Sequence, residues 1–111
     1  MGRKIENLAD FSGRLGFTVV AANGAWPKFP PYTDDHAHNL SLMFDLFAHA
    51  MPIVQKKIKD EAVVERIKQL ISEAHDAYRR GDKSKGSYLL LSAQRLVYPN
   101  GPAEYERRKG I

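Results

Sequence analysis

The stretch "DEAVVERIKQLISEAHDAYRRGDKSKGSYLLLSAQRLVYP", Asp60 to Pro99, decides the fold. Its first half places Val63, Val64, Ile67, Leu70, Ile71, Ala74, Ala77 and Tyr78 at helical spacing on one side. Asp60 suits a helix N-cap and Gly81 a C-terminal stop. Glu61 in the first turn and Arg79 and Arg80 in the last complement the helix dipole. In the second half Asp82 is the cap, and Leu89, Leu90, Ala93, Leu96 and Val97 form the apolar stripe. Pro99 ends that helix, and "YPNGP" is a turn. Two helices joined by one or two residues fold back on each other. Asp60–Arg80 and Asp82–Tyr98 are therefore predicted to form an antiparallel αα-hairpin, with Ile67, Leu70, Leu90 and Leu96 in the core. A last short helix is predicted over "AEYERRK".

The hairpin resembles a single tetratricopeptide-type unit from Leu70 to Pro99, through Ala74, the Gly81-Asp82 pair, Leu90 and Ala93. Gly86 stands where that family prefers alanine, and Pro99 falls one residue late. A solenoid needs at least three units, and the pattern occurs once. The resemblance implies a shared way of packing two helices, not a peptide-binding groove.

Moving outward, a middle helix is predicted from Asp34 to Ala50, with Thr33 and two acids as its start signal. Pro52 ends it, and "IVQKKIK" is read as a separate short helical segment. Before it, "ANGAWPKFPPYT" is a loop, because Asn23-Gly24 and three prolines oppose regular structure. "ENLADFSGRLG" reads as a weak helix broken by Gly13 and Gly16. "FTVVAA" is the one strand-like run, and a lone strand has no partner, so it is extended or helical. The predicted fold class is all-α. It is a small helical bundle over residues 1–111, with a C-terminal antiparallel αα-hairpin and an irregular aromatic and proline-rich loop.

A chain of 111 residues suits one domain with a modest core. The absence of cysteine excludes disulfides, thiolate zinc sites and a cysteine nucleophile. The N-terminal stretch lacks the apolar region of a secretory signal, and Glu6 stands where a myristoylation signal carries Ser or Thr. No run reaches the length of a membrane span. The expected location is the cytoplasm, with no membrane partner. The net charge of +4 is uneven. Residues 1–55 hold four basic and five acidic residues, and residues 56–111 hold thirteen and eight. Because acids interleave with the bases, most of this charge reads as solvated helix surface.

The densest chemistry is "YTDDHAHNL", with Asp34, Asp35, His36 and His38. On a helical wheel the cluster dissolves. Ala37, Leu40, Phe44, Phe47, Ala48 and Met51 share the face taken as the core side. His38, Asp45 and His49 fall within about 40° of one another elsewhere, and His36 points away. His38 and Asp45 lie roughly 10 Å apart along the axis, too far to share one ion. Only Asp34 with His38, or Asp45 with His49, suits chelation, each needing a further ligand such as His75. No metal and no cofactor is predicted. A His–Asp pair can serve as a base, but there is no nucleophile elbow, P-loop, dinucleotide glycine motif or paired carboxylate signature. An enzyme is not the expected reading.

Leu42, Met43 and Leu46 lie opposite the face assigned to the core. Such a helix is either central in the bundle or presents an apolar strip to a partner. In the second case Leu42, Met43 and Leu46 form a recognition surface, with Asp34, Asp35, His38, Asp45 and His49 as its polar rim. Trp26, Phe29 and Tyr32, on the stiff loop before it, are then interface anchors, or otherwise a lid over the core. In size and in the two-sided "LSLMFDLFAHAM" helix, the chain is similar to the small helical immunity proteins that neutralise bacterial toxins. That resemblance implies a non-enzymatic, cytoplasmic protein-binding module of bacteria whose partner is a toxin domain. Immunity proteins against nucleases are often acidic, and here only the N-terminal half is. The alternatives are a small helical enzyme or metal protein, and a basic RNA-binding protein. In the latter, Lys56, Lys57, Lys59, Arg79, Arg80, Lys83 and Lys85 contact phosphates and Tyr88 or Tyr98 stacks on a base. That reading is not favoured, because helix ends collect basic residues for dipole reasons.

Overall fold

The structure, a computed structural model, describes residues 5–97. They form α1 (Leu8–Ala21), α2 (His36–Lys57), α3 (Glu61–Arg79) and α4 (Lys83–Val97), and among them there is no strand. The all-α bundle expected from the sequence is what the chain adopts. Tyr98, Pro99 and the predicted helix over "AEYERRK" lie outside the described residues.

The α3–α4 hairpin follows its sequence signals closely. The Asp60 side chain accepts the backbone N–H groups of Ala62 and Val63. At the other end Gly81 adopts φ +85°, the left-handed conformation that glycine takes without a Cβ penalty. The Asp82 N–H then donates to Ala77 O at 2.8 Å and the Gly81 N–H to Tyr78 O at 3.0 Å, a Schellman closure. Asp82 in turn caps α4 through Lys85 N–H at 3.1 Å. Ile67, Leu70 and Leu90 are core residues, while Leu96 is partly buried against the core.

Gly86 explains the departure from the tetratricopeptide-like pattern. A Cβ there would lie 2.8 Å from the Tyr78 ring. The ring is buried, and its hydroxyl shares a 3.0 Å hydrogen bond with Ser87. Burial pushes the Tyr78 phenol above its ordinary pKa, partly offset by the Ser87 hydrogen bond.

Two expectations for the N-terminal half are corrected. α1 runs unbroken through Gly13 and Gly16, and of the two conformations left open for "FTVVAA" the helix is the one found, up to Ala21 with Ala22 as C-cap. Its packing overrides weak propensity: Phe11, Leu15 and Thr18 are fully buried. Gly16 also has a positive role, since a Cβ there would stand 3.2 Å from the Gln94 amide of α4. That amide donates across the bundle to Ser12 O at 2.8 Å. α2 likewise does not stop at Ala50. It begins at His36 rather than Asp34, with Asp35 as N-cap, and continues through Pro52 to Lys57. Pro52 is exposed, so the carbonyl it leaves without an intrahelical partner lies on the solvent side, where water can hydrate it.

α1 packs on α2 and α4, and α3 packs on α2 and α4. Three-residue connections make α2–α3 and α3–α4 antiparallel neighbours. Ser12 against Gln94, with Asn23 Nδ2 reaching Ser87 Oγ at 3.5 Å, gives the same sense to α1–α4. The result is a four-cornered up-and-down bundle with α2 and α4 on opposite corners.

Leu90→Ala, at a fully buried position, is expected to cost about 2–5 kcal/mol in denaturant titration. Gly86→Ala is expected to cost about 1–3 kcal/mol through overpacking against Tyr78. That outweighs the gain of about 1 kcal/mol that alanine normally brings to a helix. A neutral or stabilised Gly86→Ala variant would show that the Tyr78 ring is free to move aside.

Candidate functional site: the outward side of α2 and the groove beside it

The aromatic loop is held in place before α2 begins. Asn39 is fully buried. Its Oδ1 accepts the Thr33 N–H at 2.9 Å and its Nδ2 donates to Thr33 O at 2.8 Å. A buried amide left unpaired is costly, so this two-point clamp fixes where the loop meets the helix. Thr33 Oγ1 accepts the Asp35 N–H at 3.0 Å, and the Asp35 carboxylate caps α2 through Ala37 and His38.

Within the loop, Trp26 stacks on Tyr32 with centroids 5.8 Å apart, and both rings meet Phe17 of α1. Trp26 Nε1 donates to His36 Nδ1 at 3.0 Å. Tyr32 reaches the Met43 sulfur through its hydroxyl at 3.9 Å. Trp26 and Tyr32 are therefore partly buried lid residues packed on the core. Phe29 is the exposed ring of the loop, touching Tyr32 edge-on.

The face assigned to the core of α2 is rotated from the true one. Leu40, Phe44 and Phe47 are buried as expected, but Ala37 and Ala48 are exposed and Met51 is only partly buried. Met43, placed on the recognition strip from sequence, has 0% exposure. It belongs to the core with Ala50 and Val54 and is not available to a partner. The cause is the near-continuous apolarity of α2, which lets two arcs compete for the interior. The simpler of the two expectations, a central helix, is the one that describes Met43. Leu42 and Leu46 form a half-buried shoulder.

Asp34, Asp35, His38, Asp45 and His49 are all exposed. His49 does not pair with the Asp45 carboxylate. Its Nδ1 lies 2.8 Å from the Asp45 backbone oxygen instead. Among the described residues, no three histidine or acidic side chains gather in a metal-binding arrangement.

On the other flank of α2 lies a half-open groove of about 240 Å³ between α2 and α3. Phe44, Phe47, Ala48 and Met51 line one wall, and Lys68, Ile71, Ser72 and His75 stand on the other. His75 stacks face to face on Phe44, with centroids 4.4 Å apart and planes inclined by 3°. Burial holds the imidazole below its ordinary pKa, reinforced by Arg79 and opposed by Asp76 and Asp45. Sequence reasoning named His75 only as a spare metal ligand. Its spacing on α3 puts it beside the core stripe, but the Phe44 partner depends on the register between two helices, which no single helix encodes.

The chain has no match to any family model, to any curated protein or to any solved structure. Among the described residues, no helix is long and apolar enough to cross a membrane.

His75 gives a signed pH prediction. Its folded pKa is lowered, so the unfolded chain takes up the proton first. The associated stability is fully present above the ordinary value of about 6.5 and is lost as pH falls through it toward the depressed folded value. His75→Phe keeps a ring on Phe44 and carries no proton. Between about pH 7.5 and 5.5, a window that spans the ordinary histidine range, its Tm is expected to fall less than that of the wild type. Parallel curves would remove His75 as a source of acid sensitivity.

Proposed function

We propose that this chain is a non-enzymatic protein-binding module whose contact surface is the outward side of α2 together with the α2–α3 groove. The observation that carries the reading is the groove itself. Its walls are mostly apolar, it is open to solvent, and its volume of about 240 Å³ can take a large apolar side chain from a partner. Beside it, Asp45, His38 and His49 run as a polar stripe along α2, Leu42 and Leu46 form an apolar shoulder beyond that stripe, and Phe29 is an exposed ring near the start of α2. An apolar centre with a polar margin is the usual anatomy of a specific interface.

Within this reading the partner is a toxin domain that the module neutralises in a bacterial cytoplasm. Support for that class comes from the general resemblance to small helical immunity proteins. The acidic groups Asp34, Asp35 and Asp45 beside the surface suit a partner with basic residues at its rim.

Ala48 is exposed at the groove wall, so Ala48→Arg blocks the groove without disturbing the core. Against the partner captured from the native cell, this variant is expected to lose about thirtyfold in affinity, the weight of one central anchor. Its melting temperature should stay unchanged. Undiminished binding by a folded Ala48→Arg protein would remove the groove from the interface.

A further inference from the structure

The corner opposite α2 carries a second surface of different chemistry. Of the four large hydrophobic residues that stand exposed among the described residues, three belong to α1 and α4: Val20 at 63%, Tyr88 at 68% and Leu91 at 40%. Tyr88 and Leu91 are one turn apart. The α1–α4 register, set by Ser12 with Gln94 and Asn23 with Ser87, brings Val20 alongside the turn of α4 that carries Leu91. Single exposed apolar residues are ordinary, but neighbouring ones mark an interaction site.

Charge frames this patch. Lys85 and Arg95, both exposed, share the outward arc of α4 with Tyr88 and Leu91, and lie about 15 Å apart along the axis. α4 contains no acidic residue, and Lys83 adds a third positive charge. Among the described residues none of these three cations forms an ion pair. The Asp82 carboxylate caps α4 and that of Asp10 accepts the Glu6 N–H. Gly13 has open space where a Cβ would stand, and Gly16 lets Gln94 close in. The seam between α1 and α4 is thus closed by Gln94 at Gly16, with the outward residues of both helices standing clear of it.

We propose that this patch, with the cations that frame it, docks an acidic amphipathic helix from a partner protein. A helix laid along α4 would set its apolar residues on Val20, Leu91 and Tyr88 and its terminal carboxylates on Lys85 and Arg95. Nucleic acid fits less well. Two aliphatic residues in the patch have no phosphate or base edge to meet, and only one ring is offered for stacking. A bilayer fits less well, because interfacial binding scales with the apolar area inserted and this patch offers only three side chains. The surface is separate from the α2–α3 groove, so either proposal can fail without the other.

The probe is a helix-stabilised, fluorescent peptide of about 16 residues, long enough to span Lys85 to Arg95, with three leucines on one face and glutamates at both ends. It is compared with the same peptide carrying lysines at its ends, with phosphatidylserine vesicles and with single-stranded oligothymidine. The glutamate peptide alone is expected to bind. Tyr88→Ala and Leu91→Asp should each weaken it at least tenfold, while Ala48→Arg leaves it unchanged. The double variant Lys85→Glu, Arg95→Glu should reverse the preference toward the lysine peptide, a readout that stands even if Leu91→Asp misfolds. The proposal is overturned by absence of saturable binding up to about 100 μM, well above the range of specific complexes. It is equally overturned by retained peptide preference in the double variant, or by vesicles or oligothymidine displacing the peptide.

Discussion

The bundle is tied together by one run of aromatic packing. Tyr78 of α3 lies on the bare backbone of Gly86 in α4. Its other side meets Phe44 of α2, centroids 6.3 Å apart. Phe44 packs edge-on against Phe47, and Phe47 against Phe11 of α1. Four helices are thereby connected through four rings and one glycine. Edge-to-face pairs add about 0.5–1.5 kcal/mol each beyond the area they bury. They also impose geometry, since each ring can satisfy its neighbour in few orientations. The α2–α3 groove is a consequence: Phe44 is turned to meet Tyr78 and Phe47, and its free face is left for His75.

How much of this was legible in the sequence depends on how one-sided each helix is. α3 alternates cleanly between buried and charged positions, and α4 follows with Leu89, Leu90, Ala93 and Val97 buried. Their faces, caps and turn were therefore readable from periodicity and from Asp60, Gly81 and Asp82. α2 is apolar around most of its circumference, so the wheel located its polar stripe but misplaced the centre of its core face. Met43 was lost to the interior and Ala48 gained for the surface. Pro52 misled in a different way: as a local signal it ends a helix, but on the solvent side its missing hydrogen bond is inexpensive. The same holds for Gly13 and Gly16, whose low helix propensity was outweighed by the burial of Phe11, Leu15 and Thr18.

Long-range pairings were the least legible. Asn39 with Thr33, Trp26 with His36, and Gln94 with Ser12 are each fixed by tertiary placement, and no spacing rule announces them. Composition did show that Trp26, Phe29 and Tyr32 belong together on a stiff loop, and left open whether they face inward. The division is unequal, with two rings spent on covering Phe17 and Met43 and Phe29 left outside. Asn39 makes that division possible, because a loop not pinned at Thr33 would have no reason to hold Trp26 and Tyr32 in one stack.

The two proposed surfaces differ in what folding alone would favour. At the α2–α3 groove, a side chain larger than that of Ala48 would cover part of Phe44, Met51 and Ile71. Burial of that apolar area would be worth about 25 cal/mol per Å². At the α4 corner, replacing Tyr88 or Leu91 by a charged residue would lower the apolar exposure of the surface with little cost to the core. Neither the alanine at the groove wall nor the exposed ring and leucine is what packing density or solubility would select. Both features become economical once a second molecule supplies the missing contacts. On the proposed reading the groove takes an apolar anchor, and the α4 stripe takes an acidic helix beside basic groups. Their different chemistry, an apolar groove against a basic stripe, would keep one partner from occupying the other's place.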